Sequence, residues 1–99
     1  MSILNNRISK TLTASSGSAS DTFNAQGLCQ QILVKPATSS TQYDISLTDS
    51  GSVVVFKRTS EVGILNELIT LPLVGNYTVA IDNATADEDH EVLIVVRNS

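Results

Sequence analysis

Strict alternation of apolar and polar residues is the feature that most constrains this chain. Gln42–Thr48 places Tyr43, Ile45 and Leu47 on one side of an extended backbone and Asp44, Ser46 and Thr48 on the other. Asn76–Asp82 does the same with Tyr77, Val79 and Ile81 against Thr78 and Ala80. A repeat of two suits a strand with one buried face and does not suit a helix. Val53–Phe56 and Val92–Val96 are apolar on both faces, which predicts strands covered on both sides. Leu28–Lys35 is a further β-rich run that Pro36 closes, because proline donates nothing to a ladder. Asp49-Ser50-Gly51 reads as a hairpin turn. Ser60–Ile69 has apolar residues at helical spacing, but Gly63 inside it favours a loop running into a strand.

The resulting expectation is seven strands near 7–14, 28–35, 42–48, 52–58, 64–71, 76–82 and 91–97, with 19–25 as a candidate eighth. Short strands at this spacing predict an all-β fold, an antiparallel sandwich or jelly-roll of one domain. Its expected inward residues are Ile32, Val34, Tyr43, Ile45, Leu47, Tyr77, Val79, Ile81, Ile94 and Val96. Residues 1–14 form an N-terminal arm or first strand, and 15–99 the sandwich.

With 99 residues there is material for one domain, and at 41% apolar residues there is enough for a core. Net charge is −4, the wrong sign for a general nucleic-acid binder. Cys29 is the only cysteine and His90 the only histidine, which excludes an internal disulfide and a Cys/His zinc site. The longest apolar stretch, Val92–Val96, is far short of a membrane helix, and the first residues show no apolar signal core, so synthesis in a cytoplasm is expected.

Half of the carboxylates, Asp82, Asp87, Glu88, Asp89 and Glu91, lie within ten residues. Clustered acids are what calcium takes, but the spacing is not that of an EF-hand, and a solvated hairpin tip is the expected reading. Thr85-x-x-Glu88 also matches a capping box. Cys29 is expected to be a small buried residue and His90, between two acids, to be exposed. With no nucleophile elbow and no glycine-rich loop, no enzyme and no cofactor are expected. Two apolar sets are candidate protein contacts: Ile3, Leu4 and Ile8 in the N-terminal arm, and Leu65, Leu68, Leu73 and Val74 in an aliphatic cluster.

One succession of residues carries a resemblance. Gly27-Leu28 is followed by Ile32-x-Val34-x-Pro36 and by Tyr43-Asp44-Ile45-Ser46-Leu47-Thr48-Asp49. Leu71-Pro72-Leu73-x-Gly75-Asn76-Tyr77-Thr78-Val79-x-Ile81 comes next, then Val92–Val96. Over residues 25–97 this resembles small β-sandwich structural proteins of tailed bacteriophages, although the tryptophan of some such proteins is missing. The resemblance implies a virion protein without an active site. In its decoration or cement form such a protein binds the outer surface of the major capsid protein shell, commonly as a homo-oligomer such as a trimer. A neck, tail or fibre subunit is the alternative within the virion. A carbohydrate- or cell-surface-binding sandwich is the alternative outside it.

Overall fold

The computed structural model describes residues 4–38 and 41–98. Its strands are β1 (Leu4–Thr13), β2 (Ala19–Pro36), β3 (Gln42–Asp49), β4 (Val54–Val62), β5 (Leu65–Asp82) and β6 (Asp89–Asn98). They form one antiparallel sheet in the order β1-β6-β2-β5-β3-β4. A single 3-10 turn, Ser15–Gly17, joins β1 to β2. The eight segments expected from the sequence merge into six strands: 19–25 and 28–35 are halves of β2, and 64–71 and 76–82 are halves of β5.

Those two long strands fold the sheet onto itself. Eighteen extended residues would reach about 60 Å, yet the longest dimension of the molecule is 44 Å, so β2 and β5 must bend. They also change neighbours at the bend. Residues 28–36 of β2 pair with β6, while 19–27 pair with β5 alone. Residues 77–81 of β5 pair with β3 as well as β2, while the paired residues of 65–74 pair with β2 alone. One leaf is therefore β1, β6, the end of β2 and the start of β5. The other is the start of β2, the end of β5, β3 and β4. The rings of Tyr43 in β3 and His90 in β6 meet edge to face at 5.4 Å, although two strands separate β3 from β6 in the sheet order. This contact makes the fold a sandwich.

The bend in β2 has an identifiable cause. Against β6 its register slips between Cys29 and Gln31, so β2 carries one extra residue there. Inward residues are odd-numbered before the bulge (Phe23, Ala25, Cys29) and even-numbered after it (Ile32, Val34). Gly27 sits beside the bulge at φ +139°, and a Cβ there would lie 2.4 Å from the Arg97 carbonyl oxygen. Only glycine permits that approach of β2 to β6.

All ten residues expected to point inward are buried, joined by Leu12, Phe23, Ala25, Cys29, Phe56, Leu73 and Val92. Each fully buried aliphatic side chain contributes roughly 1.5–3 kcal/mol, so this interior carries the stability. The Asp49 turn is as expected: its carboxylate accepts the Gly51 and Val53 amides, both at 2.9 Å. Gly63 lies in a turn leading into β5, and the buried Tyr43 hydroxyl donates to its carbonyl at 2.7 Å. One expectation is corrected. Val53–Phe56 is not covered on both sides, because β4 is an edge strand; Val53 and Val54 are exposed and only Phe56 is buried. Val92–Val96 does lie inside the sheet, between β1 and β2.

Candidate functional site

The residues singled out for chemistry do not converge. Cys29 is fully buried, and burial pushes its thiol up, away from the reactive thiolate. It lies opposite Val96 on β6, six residues from His90, a separation of about 20 Å along a strand. No thiol–imidazole pair can form across that distance. His90 is not exposed, as expected from its acidic neighbours, but fully buried. Alternation along β6 overrides local charge here: Val92, Ile94 and Val96 point inward, and His90 falls on the same face. Its Nδ1 lies 3.2 Å from the Glu88 carbonyl, and its ring packs on Tyr43. Burial, and after it the charge of Glu61, pushes the Tyr43 phenol up to about 12, which keeps it a hydrogen-bond donor.

The acidic segment before β6 is divided among structural tasks. Glu88 is buried, and its carboxylate accepts the Thr38 amide at 2.9 Å and the Thr41 hydroxyl at 2.8 Å, holding the β2–β3 connection. This replaces the expected solvated tip at that position and leaves no side-chain role for Glu88 in a capping box. Asp89 accepts from the Thr13 hydroxyl at 2.6 Å. Among the described residues, no three Asp, Glu, His or Cys side chains are grouped as a metal would need.

The predicted contact residues scatter. Ile3 lies outside the described residues. The backbone of Leu4 opens β1 opposite Asn98, and Ile8 is half-buried against the core. The first ten described residues are thus a strand on β6 of the same chain. Leu65 is half-buried against the core, while Leu68 and Val74 are 78% and 75% exposed. Leu73 is fully buried, so it belongs to the core and not to a contact surface. Its neighbours in sequence point the other way because β5 alternates through this whole stretch.

Of the surface that stands out, the sequence singled out only Leu68 as a contact. On the outward side of the first leaf, Leu93 of β6 lies opposite Leu33 of β2, and in the adjoining row Val95, Gln31 and Leu68 lie across three strands. Leu28 continues the patch toward Pro72. Leu28, Leu33, Leu93 and Val95 are half-buried. A shallow depression of about 360 Å³ opens here between Arg7, Leu33, Lys35, Glu91 and Leu93. The outward side of the second leaf differs. Its rows read Thr22, Thr78, Thr48 and then Ser20, Ala80, Ser46, and the Asn24 side chain donates to Asn76 at 3.0 Å. The leaves are called aliphatic and polar below.

Ion pairs close both long sides of the sandwich. Lys10 of β1 reaches Asp21 of β2 at 3.2 Å, and Arg58 of β4 reaches Glu67 of β5 at 2.9 Å while lying over the Phe56 ring. Hydrogen bonds from the Thr22 amide and Lys10 hold the Asp21 carboxyl below the usual range.

Comparison with known proteins gives the fold. The pre-peptidase C-terminal domain of collagenase from Bacillus anthracis superposes with a TM-score of 0.60 at 14% identity, over 93% of this chain and 89% of that one. A carbohydrate-binding module, CBM36, solved in complex with calcium and xylotriose, matches with a TM-score of 0.45 at 14% identity, over 96% and 88%. A chain of infectious bursal disease virus, Gx strain, matches with a TM-score of 0.38 at 9% identity, over 99% and 32%. No family model and no curated protein matches. The chain is an all-β sandwich of one domain, and a fold by itself does not assign a role.

Proposed function

We propose that this chain is a non-catalytic structural protein of a bacteriophage virion, a decoration (cement) subunit seated on the outer surface of the major capsid protein shell. One observation carries the reading: a folded sandwich whose interior is complete keeps a second apolar sheet face on its outside. Such a patch on a small domain marks a surface that another macromolecule covers. The residue pattern over 25–97 supplies the class of assembly. The dispersed placement of Cys29, His90 and the carboxylates supports a role without catalysis, cofactor or metal.

A homo-oligomer belongs to the same proposal. Val53, Val54, Val62 and Ile64, all more than half exposed, line the β4 edge and the turn after it and are its candidate contact. Carbohydrate binding is disfavoured by one feature. Sugar sites stack on exposed aromatic rings, and Phe23, Tyr43, Phe56 and Tyr77, which are all the aromatic residues of the chain, are buried.

Electron microscopy and protein quantitation on purified particles test the proposal. Decoration predicts a copy number comparable with that of the major capsid protein. A handful of copies would move the protein to the neck, tail or fibre, and its absence from particles would end the virion reading.

A further inference from the structure

We infer that the outward side of the aliphatic leaf is the docking face, and that its partner is a protein surface with an apolar centre ringed by carboxylates. The inference rests on the virion reading and deepens it, by fixing which way the sandwich faces and what the shell presents to it.

Charge is the argument for the partner. The chain holds six Lys and Arg against ten Asp and Glu. The outward positions of the aliphatic leaf take three of those cations, Arg7, Lys35 and Arg97, and two of the acids, Asp89 and Glu91. A locally positive, apolar face on a negatively charged protein is complementary to an acidic surface. A lipid surface is disfavoured by the buried aromatics, since interfacial binding uses Trp and Tyr at the headgroup level.

Area sets the strength. Four strands about 4.8 Å apart and some seven residues long give a face of about 450 Å². That is below the roughly 800 Å² per partner of a standard stable complex. Binding per copy is therefore modest, and the charged rim makes a visible share of it.

The test uses shells purified from particles made without this gene, mixed with the purified protein and sedimented. Wild type is expected to bind, with affinity falling at least tenfold between 50 and 500 mM NaCl, the direction that screening dictates. Arg7→Glu with Lys35→Glu, both at exposed positions, is expected to lower affinity at least tenfold at low salt, and Leu93→Thr with Val95→Thr likewise. Thr22→Glu with Ser46→Glu on the polar leaf is expected to leave it unchanged. Wild-type protein that fails to bind shells overturns the virion reading together with this inference. Wild-type binding that survives Arg7→Glu with Lys35→Glu, or is lost in the polar-leaf variant, overturns this inference alone. So does salt-sensitive binding to anionic phospholipid vesicles of equal strength, or reversal of charge that merely dissolves a dimer of this chain.

Discussion

The two leaves have the same inward chemistry and opposite outward chemistry. Inside, both contribute apolar side chains to one core, the polar leaf adding Phe23, Tyr43, Phe56 and Tyr77 to its aliphatics. Outside, the polar leaf presents rows of Thr, Ser and Asn, while the aliphatic leaf presents Leu28, Leu33, Leu93 and Val95. The difference separates what makes the chain fold from what makes it bind. On the proposed reading the binding half is the leaf that holds β6, the strand apolar on both faces.

A large effect is expected at the strand crossing that joins the leaves. Gly27→Ala puts a Cβ against the Arg97 carbonyl at a positive φ, and strain of this kind costs about 2–4 kcal/mol. Chemical denaturation should show that loss, and a loss below about 1 kcal/mol would mean that the crossing is loose. Next comes the contrast within β6. Ile94→Ala, on the inner face, should destabilise by about 2–5 kcal/mol. Leu93→Thr, one residue away on the outer face, should cost about 1 kcal/mol or less. Equal losses would break the division between folding and binding faces.

A smaller effect is expected at the end of the sandwich. Glu88→Ala removes the acceptor of the Thr38 amide and the Thr41 hydroxyl, at a cost of about 1–3 kcal/mol. Amide exchange should quicken at Thr38 without changing in the bend. The smallest effect concerns pH. The Ser60 amide and the Asn83 side chain hold the Asp44 carboxyl below the usual carboxylate range. A carboxyl lowered in the folded state adds stability above its unfolded pKa, near 4, and loses it as the pH falls through the folded value. Asp44→Asn should therefore flatten the acid limb of the stability curve and leave its neutral limb parallel to wild type. An acid limb identical to wild type would exclude Asp44 as a contributor.

Much of this was legible from the residues alone. The alternation at 42–48 and 76–82 marked β3 and the second half of β5, and the six inward residues read from it are in the core, as are the expected Ile32, Val34, Ile94 and Val96. Three things were not legible, for physical reasons. Period-two patterns do not reveal that two apolar runs are one continuous strand, so β2 and β5 each appeared as two. A bulge switches which parity points inward, and nothing in Cys29-Gln30-Gln31 announces it. The destiny of His90 and Glu88 depended on tertiary placement: one joins the inner row of β6, and the other reaches across to Thr38 and Thr41. The contact face itself was half visible. Val92–Val96 signalled two covered faces, but the partners that make a patch of it, Leu33 and Leu28, are brought alongside only by sheet register.

The most direct test is the orientation of the protein on the particle, seen by high-resolution electron cryo-microscopy. The account predicts Leu33, Leu93 and Val95 against the shell, with the threonine rows of the polar leaf turned to solvent. A density map with Thr22, Thr48 and Thr78 against the shell, and the β6 face open to water, would contradict it.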